Sequence, residues 1–264
     1  MDELGFNFEE AIAWFRQEQS HPYVLVRMNI EQANALPAMM SIPLRRCYIT
    51  DSTLIETMTR HSLTGAEVIQ AQLPDAGSVM SGDFGEVLAY FYQSAMALPS
   101  YGVGPKKWRL KQDRTKAAPK SDVVHFIMPN RAVASAEDTI LCAEVKAKAT
   151  SGNSTPIADA IRDCQKDRTS RLASTLVWLR ERAMTTDLGD VDIPLLNRFI
   201  NAVDNPPATK RFRAVAVICN SLIDAELASA PESADPEYTL VVIGVPDLRN
   251  TYSAVYAAAT NSVE

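Results

Sequence analysis

The segment 138–148, DTILCAEVKAK, is an apolar strand that ends in an acid and an amine. Side chains alternate between the two faces of a strand, so Glu144 and Lys146 project to one side and Ala143 and Val145 to the other. A strand covered on both faces has no packing reason to end that way. An isolated Glu-x-Lys is ordinarily a solvated strand end, so its meaning rests on the strand beside it. That neighbour is 121–128, SDVVHFIM, followed by Pro129, Asn130 and a polar stretch to Glu137, the pattern of a hairpin. If Met128 pairs with Asp138, antiparallel register sets Asp122 opposite Glu144 on the same face, with Cβ atoms about 5 Å apart. Two facing carboxylates repel unless something positive stands between them. A divalent, oxygen-preferring cation such as Mg²⁺, with Lys146 beside it, meets that need.

A third acid lies upstream in 81–93, SGDFGEVLAYFYQ. Phe84, Val87, Leu88, Phe91, Ala95 and Leu98 fall at helical spacing, which predicts an amphipathic helix. Gly82 and Gly85 are expected in its first turn, where a missing side chain permits close backbone approach. Glu86 then sits near a helix start that presses on the hairpin. Taken alone, Glu86 is a first-turn acid favoured by the helix dipole and Asp83 an N-cap.

The order is a helix carrying Glu86, a basic strand at 107–111 (KWRLK), a strand with Asp122, a strand with Glu144 and Lys146, and a long helix. This order resembles the PD-(D/E)xK nuclease fold, whose core is α-β-β-β-α. The resemblance implies an α/β fold of the α+β kind: a restriction-endonuclease-like core, a mixed central sheet flanked by helices, and N- and C-terminal elaborations. It also implies a catalytic set of Glu86, Asp122, Glu144 and Lys146. Glu86, Asp122, Glu144 and the main-chain carbonyl of Val145 would hold Mg²⁺, with Mn²⁺ as a substitute. Ser121 stands where the proline that names the fold is expected.

A chain of 264 residues, 47% hydrophobic, can bury one sizeable core. The expectation is a single elaborated domain: 1–80 an N-terminal elaboration, 81–185 the catalytic core, 186–264 a sheet-extending part. With no run of about 18 apolar residues and no basic-then-apolar leader, the chain is expected to be soluble and cytoplasmic, without membrane contact. Cys47, Cys142, Cys164 and Cys219 are far apart, form no C-x-x-C pair and read as reduced core residues. The formal net charge of −6 argues against indiscriminate nucleic-acid binding. Locally, however, Lys106, Lys107, Arg109, Lys111, Arg114, Lys116 and Lys120 face a single acid, Asp113, and lead into Asp122. A solvated basic loop is the ordinary meaning of such a run. Its position beside the acids makes it a candidate DNA-binding segment, with Trp108 expected in the core.

The first 80 residues predict a helix at 8–17, strands at 23–30 and 46–50, and a helix at 52–61. After Lys148, Thr155 and Pro156 signal a helix start. Ile157, Ile161, Cys164 and Leu172 face inward, with Arg162, Gln165, Lys166, Arg168 and Arg171 on the other side. The nuclease fold uses this helix to lend polar groups to the site, which makes Gln165 and Lys166 accessory candidates. The pattern extends through Leu176, Trp178 and Leu179, either unbroken or after a bend near Ser170. A helix at 195–203, strands at 212–219 and 238–245, and a helix at 248–259 complete the chain.

With SGDFGE at 81–86, KWRLK at 107–111, Ser121 with Asp122, AEVK at 143–146 and the helix that follows, the chain resembles the HamA family, nuclease subunits of the Hachiman anti-phage defence system. The resemblance implies a DNA-degrading effector that partners the superfamily-2 helicase HamB. The chain has no G-x-x-x-x-G-K-[ST] loop, so ATP dependence would come from the partner. Two other readings are a catalytically silent, nuclease-like adaptor for DNA or a helicase, and a restriction or repair endonuclease.

Overall fold

Near-continuous β-branched and small apolar runs, such as 214–218 and 240–243, suit strands covered on both faces. The computed structural model describes residues 3–18, 21–201 and 203–263. Its strands are β1 (Gln17–Glu18), β2 (Val24–Arg27), β3 (Tyr101–Val103), β4 (Val123–Met128), β5 (Thr139–Lys148), β6 (Thr209–Cys219) and β7 (Thr239–Val245). They form a seven-stranded sheet in the order β1-β2-β7-β6-β5-β4-β3. β2, β7, β6 and β5 run parallel, and the two flanks pair antiparallel. The sheet is therefore mixed, and the strands on both sides of the expected core belong to it.

The helices are α1 (Phe8–Ala11), α2 (Ile30–Tyr48), α3 (Asp51–His61), α4 (Gly65–Gln72), α5 (Ser78–Ala97), α6 (Pro156–Lys166), α7 (Leu172–Ala183), α8 (Ile193–Ile200), α9 (Asn220–Leu227) and α10 (Leu248–Thr260). Strand alternation divides them between two faces. Val123, Ala143, Val145, Val215, Val217, Val241 and Ile243 meet α2, α4, α5 and α10. Their neighbours, among them Val124, Cys142, Ala214, Ala216 and Val242, meet α6, α7, α8 and α9. This is the expected helix-flanked mixed sheet, with α5, β3, β4, β5 and α6 in the α-β-β-β-α order. Among the described residues no helix is long and apolar enough to cross a membrane.

The β4–β5 ladder pairs Val123 with Ala143 and Ile127 with Thr139. That is the register expected from the sequence, and one further step sets Asp122 opposite Glu144. Other expectations fail for identifiable reasons. Residues 46–50 form no strand: Arg46 to Tyr48 finish α2, a helix that contains Pro37 and Pro43. Ala33, Leu36, Met40, Leu44 and Cys47 keep helical spacing and all are buried, so tertiary packing outweighs the prolines. The basic strand at 107–111 is a single 3₁₀ turn, Lys107–Leu110. The third core strand is β3, which pairs with β4. The helix carrying Glu86 begins at Ser78, so Gly85 and Glu86 lie two turns inside it and Asp83 is no N-cap. The helical pattern runs on from α6 into α7 through a π-helical segment, Asp167–Arg171.

The hairpin loop between β4 and β5 is held by Arg198 of α8. Its guanidinium donates to both Asp138 oxygens (2.6 and 2.7 Å) and to the carbonyls of Asn130, Arg131 and Val133 (2.8 to 2.9 Å). Both side chains are more than nine-tenths buried. Arg198→Ala leaves Asp138 as an unpaired buried charge and is expected to lower the unfolding free energy by about 3–5 kcal/mol. Urea denaturation measures this, and a change below about 1 kcal/mol would refute the clamp.

Candidate active site

Glu144 sits near the end of β5 on the face covered by α6 and α7, and is 2% exposed. One oxygen accepts from Lys146 Nζ at 2.6 Å, and the other from the Arg171 guanidinium. Lys146 Nζ also reaches Asp163 on α6 at 2.9 Å. Asp122 folds over the start of β4, where one oxygen accepts the Val145 N–H at 2.8 Å. N–H and C=O of one strand residue point to the same edge, so the Val145 carbonyl faces the same strand end.

Glu86 approaches from the other side of the sheet. Gly85 makes this possible: a Cβ there would stand 3.3 Å from the Ala147 methyl and 3.5 Å from Val145 Cγ1, so α5 lies close on β5. Glu86 meets the strand acids through an intermediary. Lys107 Nζ lies 3.3 Å from its carboxylate and 3.6 Å from Asp122 Oδ1, and donates to the Ser121 carbonyl at 3.0 Å. Trp108 Nε1 donates to the same Glu86 oxygen at 3.0 Å.

The rest of the basic run is divided. Lys106 pairs with Glu3 (2.8 Å), Arg109 donates to the Arg46 carbonyl (2.6 and 2.9 Å), and Lys111 pairs with buried Asp83 (2.8 Å). Lys106 and Lys107 are buried. Arg114 pairs with Asp75, Lys116 with Asp113 at 3.0 Å, and Lys120 points at Ser174 Oγ at 3.5 Å. Of the seven, only these last three remain at the exposed surface or its edge. Trp108 is in the core, as expected.

Gln165 and Lys166 are exposed, and Lys166 pairs with Asp163. The residues that turn inward from this helix are instead Asp163, Asp167 and Arg171. Arg171 donates to Asp167 at 2.7 and 2.8 Å as well as to Glu144. Asp167 accepts from Ser121 Oγ at 2.6 Å. The i, i+4, i+8 spacing of 163, 167 and 171 was the available signal for one shared face. His125 takes no part: it is buried between Gln93 and Ser94, and burial pushes its pKa down to about 3.

Glu86 and Glu144 carry more negative charge than their surroundings readily hold. Burial pushes Glu86 up to about 8, with Lys107 opposing and Asp122 adding. Burial and then Asp122 push Glu144 up to about 7, against Lys146 and Arg171. Burial works against the Lys146 charge, yet Glu144 and Asp163 hold its amine above the usual range. All-oxygen donors with an excess of acid have the chemistry of a hard-cation site. Among the described residues, however, no three ligating side chains stand together as a metal cluster. Lys107 and Arg171 occupy the acids instead.

Both glutamates hold protons more tightly folded than their ordinary value of 4.5. Their contribution to stability is complete below that value and is lost as pH rises through about 7 and 8. In EDTA the melting temperature is therefore expected to fall between about pH 4.5 and pH 8, the window between the ordinary value and the raised ones, and Glu144→Gln should flatten the decline. A flat or rising wild-type profile would contradict the proton-holding glutamates.

The family model described as HamA matches residues 13–259 of the 264. Comparison with curated proteins found no match. With a match over nearly the whole chain, the chain belongs to the HamA family, which is associated with the Hachiman defence system.

Proposed function

We infer that this chain is a metal-dependent DNA nuclease of the PD-(D/E)xK type, acting as the effector of a defence complex with a superfamily-2 helicase, HamB. The observation that carries this reading is the β4–β5 register, which sets Asp122 and Glu144 at adjacent strand ends with Lys146 beside them. Glu86, Asp122, Glu144 and the Val145 carbonyl are the groups that would hold Mg²⁺ or Mn²⁺. Such a cation supplies a water of lowered pKa and counters charge building on the phosphate.

The chain's own residues divide the remaining work. Lys146 keeps its proton, so it serves as a hydrogen-bond donor and positive charge toward the attacking water or the developing oxyanion, and not as a base. Asp163 and Glu144 fix its amine from two sides. Arg171 adds a second positive charge on the same face, itself held by Asp167. Asp122, anchored on the Val145 N–H, keeps one oxygen turned toward Lys107.

A second reading has an observation of its own. Lys107 and Arg171 already neutralise the acids, as they would in a nuclease-like adaptor that binds DNA or its helicase without cutting.

Plasmid cleavage by the purified chain with Mg²⁺, Mn²⁺ or EDTA, with and without the helicase and ATP, separates the two. Metal-dependent cutting is expected, and Lys146→Ala and Glu144→Ala should each reduce it at least about 100-fold with the circular dichroism spectrum unchanged. Full cutting by Lys146→Ala would remove the assignment. Inertness with every metal and with the partner present would leave the adaptor.

A further inference from the structure

A cleft of about 250 Å³ lies between the 110–119 loop and α7, lined by Leu110, Lys116, Ala117, Pro119, Trp178 and Arg182. Its position follows from one helix face. Arg171, which ends the π-helical segment, and Thr175, Trp178 and Arg182 of α7 are spaced i, i+4, i+7, i+11, and so form one stripe. The first of these holds Glu144, and the second bonds Ser121 beside Asp122. At about 1.5 Å per residue, Trp178 stands roughly 10 Å along the helix from Arg171.

The far half of the stripe, Trp178 and Arg182, carries groups the fold does not use up. Trp178 is half-buried at the edge of the core under α7 and α8, and the Arg182 guanidinium lies 6.0 Å from its ring centroid. Among the described residues the Trp178 indole N–H has no hydrogen-bond partner and Arg182 no ion pair. Lys116 is exposed at the cleft, where it and Thr115 meet the Asp113 carboxylate. An aromatic face with arginine and lysine beside it suits a base stacked on the ring and phosphates on the cations. A base inside a duplex has both faces covered by its neighbours, so only an unpaired base can use this ring.

We propose that the cleft between the 110–119 loop and α7 binds single-stranded DNA, with one base stacked on Trp178 and the backbone neutralised by Arg182 and Lys116, and feeds that strand toward Asp122 and Glu144. This rests on the nuclease reading for its direction, but the binding is separate from the cutting. Stacked at about 3.4 Å per nucleotide, the span from Arg171 to Trp178 takes about three nucleotides. The substrate class that enters the centre is then an unpaired strand, such as a helicase produces.

Fluorescence anisotropy in EDTA, with a labelled oligo-dT 20-mer and a labelled 20-base-pair duplex as probes (lengths on the order of the ≈ 16-nucleotide upper site size for such folds), tests this without cleavage. The single strand is expected to bind more tightly than the duplex, and Trp178→Ala to weaken it about 10-fold while duplex binding changes less than about twofold. Trp178→Phe should restore most of the loss, and the exposed Arg182→Glu, which leaves the core untouched, should weaken single-strand binding and reduce its salt dependence. Single-strand affinity unchanged in both Trp178→Ala and Arg182→Glu would overturn the cleft while leaving the nuclease reading standing. The same result with loss of helicase association would make this a protein-docking face. Wild-type protein that binds neither probe would overturn the proposal, whereas metal-dependent plasmid cutting by the same sample would still uphold the nuclease.

Discussion

Carboxylates withdrawn from water must be neutralised by protons, by side-chain cations or by a metal, and the centre of this protein is arranged around that requirement. Three elements that approach the acids bring cations. The 3₁₀ turn brings Lys107 to Glu86 and Asp122, β5 brings Lys146 to Glu144, and the π-helical segment brings Arg171 to Glu144 and Asp167. Asp83, one turn before Glu86 on α5, is served by Lys111 and by the Tyr48 hydroxyl, which in turn meets Tyr256 of α10 at 2.8 Å. Through Tyr48, α2 therefore reaches the same buried polar network as Asp83 and α10.

The parts of this arrangement that follow local rules were legible in the sequence. Strand alternation placed Glu144 and Lys146 on one face, and the apolar hairpin pattern was sufficient to fix which residue opposes which. A slip of one residue would have turned every β4 side chain to the wrong face. The four cysteines are free and buried, as their apolar settings indicated. Helix boundaries were less legible, because signals compete there. Gly82 and Gly85 look like a helix start, yet α5 begins a turn earlier and Gly85 serves close packing on β5 instead. Pro37 and Pro43 look like breaks, yet α2 runs through both.

Burial of charge was the least legible feature. A run of seven basic residues with one acid has the composition of a solvated loop, and composition carries no information about partners distant in sequence. Glu3, Asp83, Glu86 and Asp122 are those partners for Lys106, Lys111 and Lys107, and they lie as far as 103 residues away by number (106 minus 3). In the same way, Gln165 and Lys166 are polar and follow the Glu-x-Lys strand, but the face that meets the strand is set by the helix period. That period selects Asp163 and Asp167, and the π-helical turn then carries Arg171 to Glu144. π-Helical turns inside helices recur at functional sites, where they re-aim a side chain that a regular helix would carry past its target.

Ser121 shows why the residue that names the fold is missing. Its N–H donates to Thr175 Oγ1 at 3.2 Å, and its hydroxyl donates to Asp167 at 2.6 Å and lies 2.9 Å from Thr175 Oγ1. These bonds tie the start of β4, and so Asp122, to the turn that carries Arg171. Proline has neither an N–H nor a hydroxyl to offer there. Lys120, the preceding residue, has φ +74, in the left-handed region that a following proline disfavours. The serine thus replaces the rigidity of a proline ring with hydrogen bonds to the opposite wall of the site. In this chain the position of Asp122 depends on α7 and the π-helical segment, so the acid and Arg171 are set by one shared network.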